Sequence, residues 1–508
     1  MRDRIALLAA AVVIVSATIA GPPAGAATCM RTLVVTDSGD AAVATSGQLR
    51  AAIAEVCSGG TIIVVPGLII TLSQGQLVIP AGKSITIKGS ATIDANAASR
   101  VIWVQTGASL TLKNIVVRGG SDAGINNEGE VTIQNGKITA NGRAGVRNLG
   151  SVTLTKGARV SGNQGTGVLN DIDFTVFPER VGRLTLQDSS RISGNTGLLI
   201  FGSIRGGGIV NWGLTTVNDS SAVSGNIAGF GGGVDNIAAA VESSGLVVVN
   251  GHGSISGNVA TVTGRGGGVY NEFGFGGTAM VVLNDSSTVA HNDGGGLAGR
   301  GSMILNDLST VSNNDFGIGN ERGEVVLNDS SSVSANDREG VSVFGTGVTL
   351  NDQSSVTRNG SGGIGALEAF VLLNDDSSVT QNQNSGVTVL FGSVIMNGAS
   401  SIRENATAGN GGGIEIESCC GVIMNGTSTI AENQASLGGG IFMLGDEVSP
   451  GTPPTISVIL NDATTITRNT ATGGQGGGVY NDGGSLTLND ASSITGNIPD
   501  NCYPPGTC

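Results

Sequence analysis

Apolar positions in this chain come in short alternating runs, each halted within a few residues by Asn, Asp or Gly. The decapeptide LNDSSSVSAN at 327–336 returns as LNDASSITGN at 488–497, and similar segments fill most of the chain between and before them. Fourteen such segments end on Asn, at 141, 163, 195, 226, 258, 292, 314, 336, 359, 382, 405, 433, 469 and 497. Val or Ile stands three residues before every one of them, and in eleven another Asn stands eight residues before. A third run separates the decapeptides, often written Gly-Gly-Gly-Val-x-Asn, as at 231–236, 266–271 and 476–481.

Runs this short and this β-branched predict strands rather than helices. The shortest repeat is 22 or 23 residues and holds three strands. One repeat cannot bury its apolar side alone, but stacked repeats share a continuous core. The expected fold is therefore all-β: a parallel β-helix over 61–497, rising roughly 70 Å at about 4.8 Å per coil. The repeated Asn residues, including Asn306, Asn328, Asn351, Asn374 and Asn397, are expected to stack as amide ladders at corners, where a left-handed backbone is often needed and Asn tolerates it. Segment 46–56, SGQLRAAIAEV, places Leu49, Ala52, Ile53 and Val56 at helical spacing after a candidate N-cap, Ser46. It predicts a capping helix within an N-terminal unit of 27–60, with 498–508 closing the other end.

The first 26 residues carry Arg2 and Arg4, an apolar core from Ile5 to Ala20 and an Ala-Gly-Ala exit, the pattern of an export signal. No other apolar run reaches the ~20 residues of a membrane span. The mature chain is thus expected outside the cell, secreted or surface-associated, not embedded in a membrane, and monomeric. Export permits disulfides, and the natural pairs are Cys29 with Cys57 and Cys502 with Cys508. Cys419 and Cys420 are adjacent, where a bridge is strained. The net charge of −14 argues against nucleic acid as a partner.

Residues 49–95, LRAAIAEVCSGGTIIVVPGLIITLSQGQLVIPAGKSITIKGSATIDA, resemble the opening of secreted bacterial right-handed β-helix proteins of the pectin-lyase-like superfamily. SGQLRAAI is similar to the Cys-Ser-Leu-Arg-Glu-Ala segment of one such group. The GGGVYN and SGN units resemble repeats of polymorphic outer-membrane-type surface proteins. The resemblance implies a right-handed coil and export. It leaves function open, because the superfamily includes polysaccharide lyases, glycoside hydrolases, adhesins and structural stalks.

Candidate chemistry is sparse. An Asp follows the upstream Asn at 219, 285, 307, 329, 352, 375, 462 and 490, and Asp188 holds the same slot after Gln187. Stacked carboxylates could attract Ca²⁺, but Asn-Asp-Ser is also ordinary turn chemistry, and that reading is preferred, with no metal site assigned. Asp293, Asp315 and Asp337 each follow a ladder Asn, with His291 and Arg338 beside them. Residues two coils apart fall near the ~6.5–9.5 Å separation an inverting glycosidase uses. Polar turns explain them equally, so no catalytic residue is assigned. His252 lies in a Gly-His-Gly similar to one in polygalacturonase-type hydrolases, without the accompanying Asn-Thr-Asp and Arg-Ile-Lys.

Repeat length varies along the chain. Steps between ladder Asn residues are 22 or 23 from Asn292 to Asn405, 31 to 34 from Asn163 to Asn292, and 28 and 36 from Asn405 to Asn469. A bare central stretch flanked by inserts suggests a trough, with Phe273, Phe275 and Phe442 available to stack on sugars. Two functions follow: a non-catalytic stalk, adhesin or glycan-contacting module facing an extracellular polysaccharide or a cell-surface component, or a polysaccharide-degrading enzyme working in the trough.

Overall fold

The computed structural model describes residues 29–43, 45–97, 99–175, 179–238, 245–273, 277–445 and 456–508. The expected export signal at 1–26 lies outside them.

The chain winds as a parallel β-helix with three strands per coil. One minimal coil consists of Ser302–Leu305, Thr310–Ser312 and Ile318–Asn320, each paired in parallel with the strand one coil earlier and one coil later. We call the three resulting sheets the first, second and third faces. Alternate side chains point inward. The Val or Ile of each decapeptide is buried, as Val311, Val333, Val356 and Val379 show. A single apolar cluster runs from Val35 to Cys502.

The polar corners are held by three amide ladders. At the corner leaving the first face, Asn351 Nδ2 donates to Asn328 Oδ1 at 2.8 Å, and Asn374 donates in turn to Asn351 at 2.8 Å. Asn306 and Asn397 extend the same column. At the corner leaving the second face, the buried series from Asn141 to Asn497 runs the other way. Asn336 Nδ2 and its backbone N–H both donate to Asn359 Oδ1 one coil ahead. A third ladder lies on the third face, from Asn127 to Asn271.

The left-handed conformation expected of the laddered Asn residues belongs to their neighbours. Asp307, Asp329, Asp352 and Asp375, each just after a ladder Asn, have φ between 54° and 58°. Ala335, Arg358 and Gln381, each just before one, have φ between 54° and 57°. The acidic slot is a turn slot whose carboxylates accept backbone N–H groups, as Asp329 does from Asp307 at 3.1 Å.

The helix Leu49–Glu55 covers the N-terminal end with Leu49, Ala51, Ala52 and Ile53 buried. Its N-cap is Gln48, not Ser46, and makes no side-chain capping bond. Instead Arg50 clamps the helix to Asp40 at 2.6 Å, and Asp40 also accepts the N–H groups of Ser73 and Gln74. Disulfides join Cys29 to Cys57 and Cys502 to Cys508. At the far end Cys502–Tyr503 adds a last strand to Val479–Asp482. No helix among the described residues is long and apolar enough to cross a membrane.

Candidate functional site

Inserts leave the coil at both corners of the third face rather than at one. The hairpin of Ile172–Asp173 with Arg180–Val181 leaves between the third and first faces. The hairpin of Leu198–Ile200 with Ser203–Arg205 leaves between the second and third. Further inserts build short parallel pairs, Ile227–Ala228 with Val259–Ala260 and Gln434–Leu437 with Thr470–Gln475.

The register explains what lies between them. The x of each Gly-Val-x-Asn points outward, opposite the inward residues before and after it. In stacking order these outward residues are Asp235, Tyr270, Ala298, Gly319, Ser342, Gly365, Thr388, Glu415 and Phe442. From Ala298 to Thr388 they are small, so the face sinks there between Tyr270 and Glu415. Six coil steps of ~4.8 Å separate those two, roughly 29 Å.

A groove of about 390 Å³ opens where this sunken stretch begins. Tyr270 and Phe316 form its inner wall, and Phe344 and Leu367, 40% and 37% exposed, form its outer rim. Phe316 seats on Gly295, where a Cβ would stand 2.2 Å from its ring. Four charged side chains line the groove, Arg265, Arg338, Glu321 and Glu339. Arg265 donates to the Tyr270 hydroxyl at 2.7 Å and lies 5.4 Å from the Phe230 ring centroid. Arg338 lies 5.5 Å from the Phe316 centroid and donates twice to Asp315, at 3.0 and 2.7 Å. Arg300 holds Glu321 at 2.8 Å.

Beneath the N-terminal wall lies a buried charged cluster. Arg205 Nε is 2.9 Å from Asp235, and the same guanidinium bonds Glu272. Asp235 is fully buried, and neither carboxylate oxygen has an aligned hydrogen bond despite the short ion pair. Burial pushes Asp235 up to about 7, against the pull of Arg205. Its place under the insert carrying Phe230 suits an anchor for that wall, closed to any ligand.

Sequence-chosen residues fall unevenly on this geometry. Asp293, Asp315 and Asp337 stack at one corner, one coil apart, each N–H bonded to the Asn carbonyl a coil back. None of the three lines the groove, and Asp315 is occupied by Arg338. His291 is an exposed left-handed corner residue, and His252 is exposed in a turn. Of the six, Arg338 alone lines the groove.

Phe442 is a correction. It is 5% exposed and stacked on Tyr480 at 5.2 Å, which stacks on Tyr503 at 5.3 Å. Its ring is committed to an internal aromatic column and offers no free face to a sugar. Phe275 lies outside the described residues, and for Phe273 the backbone alone, the last residue of Val269–Phe273, is described. Sequence reasoning missed Arg265, Tyr270, Phe316, Asn320, Glu321, Glu339 and Phe344. The signal available was the size of the x residue when coils are aligned.

At the C-terminal end of the sunken stretch, Glu415 and Glu417 both point outward from Ile414–Met424. Burial, with Glu417 nearby, pushes Glu415 up to about 7. Among the described residues no group of three or more His, Cys, Asp or Glu is placed to hold a metal ion.

No family model matches the chain, and no curated protein matches it. Among solved structures, the crystal structure of pectate lyase Pel9A aligns over 92% of this chain and 79% of that one, at 13% identity and a TM-score of 0.22.

Proposed function

We propose that this is an exported, non-catalytic β-helix protein that contacts an extended glycan along its third face. It would act as a monomer outside the cell, secreted or held at the surface. The observation that carries the reading is the groove at Tyr270, Phe316 and Phe344, which opens onto a sunken run of small residues. Aromatic rims with convergent polar groups suit sugar rings, which have an apolar face and a hydroxyl edge. A rigid helix stacks equivalent positions at ~4.8 Å, a regular platform for a repetitive polymer. Glycan-array screening of the mature protein, with and without a chelator, tests the reading. Binding to an extended glycan supports it, and the chelator arm decides whether calcium takes part. Absence of binding to any glycan returns the protein to a plain stalk.

The second reading is a polysaccharide-degrading enzyme, and the Glu415–Glu417 pair favours it. A carboxyl group pushed up by burial beside a second carboxylate is a general-acid arrangement used in glycoside hydrolysis. Release of reducing ends from a bound glycan, abolished by Glu415→Gln, would establish it over the first.

A further inference from the structure

The corner between the first and second faces changes sign along the solenoid. Its left-handed turn slot holds only Asp or Gly from Asp188 to Asp490. In the coils before Asp188 the slot holds Asn114, Asn135 and Lys156. Just past the corner, Lys137, Arg159 and Arg191 stack one coil apart at the start of the second face. From Ala222 to Ser493 the same column holds only Ala, Ser and Thr. On the other side of the corner Lys88 pairs in register with Lys113. Six cations thus gather on five successive coils, over about 19 Å at ~4.8 Å per coil. Lys113 is half-buried and the other five are exposed. None of the six forms an ion pair with a described residue. The coil does not need them, since sibling coils close on Ser or Thr. Lys88 opposite Lys113, Lys137 opposite Arg159 and Arg159 opposite Arg191 are like-charge pairs, which cost stability.

We propose that this corner is a basic ridge that holds an extended polyanionic glycan along the helix axis, at a surface separate from the third face. A polyanion relieves the repulsion stored between the stacked cations and answers their charge on a chain whose net charge is −14. One coil step is close to the length that one sugar ring adds to an extended chain, so charged groups on successive sugars meet successive rows. The ridge is convex, so it reads charge and spacing rather than the identity of the sugar. Beyond Arg191 the acidic turn slot repels the same chain, which confines the contact to the first coils. Other polyanions fit less well. The ridge holds no aromatic ring on which a nucleic-acid base could stack. Its neighbours Asn114, Asn135, Thr139 and Ser161 are polar, with no exposed large apolar side chain to enter a bilayer. The acidic corner of a second copy is already engaged, Asp329 accepting from the Asp307 N–H and Asp375 from the Asp352 N–H.

The test is calorimetric titration of the purified protein at low salt with a heparin-derived sulfated hexasaccharide, hexagalacturonate, maltohexaose, hexathymidylate and phosphatidylglycerol vesicles. At least one of the two charged glycans is expected to bind, more weakly as salt rises. Lys137→Ser, Arg159→Ser and Arg191→Ser together install the residue type that sibling coils carry. This variant should melt no lower than wild type and bind the charged glycan about 10-fold or more weakly. A matched triple, Arg143→Ser with Arg322→Ser and Arg358→Ser, removes three exposed cations from other corners and should change binding by less than about 3-fold. Equal losses in the two triples, or no loss in the first, overturn the ridge. Failure of both charged glycans to bind does the same, and leaves the third-face reading standing. Tighter binding of hexathymidylate or of the vesicles overturns the glycan assignment. So does a dimer in sedimentation at low salt that the first triple dissociates, because the ridge would then hold a second copy.

Discussion

Asn351 donates its side-chain amide to Asn328 one coil back, at 2.8 Å. Eight residues on, Asn359 donates to Asn382 one coil forward, at 3.0 Å. The two ladders thus run antiparallel, and they differ in what they protect. Asn351 is half-buried at a corner, whereas Asn359 is fully buried and its Oδ1 also accepts the Asn336 backbone N–H at 3.1 Å.

That difference sets an order. Asn351→Leu should lower stability by about 1–2 kcal/mol, since water can reach part of the corner. Asn359→Leu takes the side-chain acceptor from the Asn336 backbone N–H and removes the bonds to Asn336 Nδ2 and the Val333 carbonyl, and should cost about 3 kcal/mol. Chemical denaturation of both variants checks this, and equal stability of Asn359→Leu and wild type would rule out a structural role for the buried ladder.

The turn slot supports a sharper substitution test. Asp352 has φ +55°, and sibling coils place Gly251, Gly398 and Gly426 in the same slot with φ between 65° and 73°. Asp352→Gly should therefore change stability by less than about 0.5 kcal/mol, loss of one exposed acceptor being offset by relief of the left-handed backbone. Asp352→Val should cost about 1–2 kcal/mol, because a β-branched residue is strained there. Melting temperatures of the two variants, measured together, separate backbone conformation from carboxylate chemistry.

The β-helix was legible because its signal is local and repeated. Val311, Val333 and Val356 each sit three residues before an Asn, and a period of 22 or 23 residues leaves little choice of register. The groove was not legible in the same way. Its walls come from residues far apart in sequence, such as Arg265, Phe316 and Phe344, brought together by stacking and by inserts of variable length. Phe442 was misjudged because exposure of an outward residue depends on its neighbours along the column. Tyr480 and Tyr503 cover it, whereas Phe344 is followed by Leu367 and remains open.

The disulfides tie down the two ends of the solenoid, where strands lack a neighbour on one side. Cys29–Cys57 closes 28 residues and Cys502–Cys508 closes 6. Loop-closure reasoning makes the longer crosslink more stabilising, with typical values of about 2–4 kcal/mol. The paired substitution Cys29→Ala with Cys57→Ala should thus lower the melting temperature more than Cys502→Ala with Cys508→Ala. Non-reducing mass mapping of the purified protein should recover both bridges, and thiols at all four positions would refute the assignment.

Glu415 gives the fold a pH dependence whose sign can be stated in advance. Its carboxyl is pushed from the ordinary 4.5 up to about 7, first by burial and then by Glu417. Between those values the folded chain holds a proton that the unfolded chain has released. Stability from this group is therefore fully present below about pH 4.5 and is lost as pH rises through about 7. Glu415→Gln keeps the shape and removes the titration. Relative to wild type, the variant should gain stability as pH rises from about 4.5 to 8, because wild type must ionise a half-buried carboxyl beside Glu417 and the amide need not. Paired denaturation curves at pH 4.5, 6 and 8 measure the effect. A difference between the two proteins that stays flat across that range would show that Glu415 ionises freely, and would remove the physical basis for reading it as a proton donor.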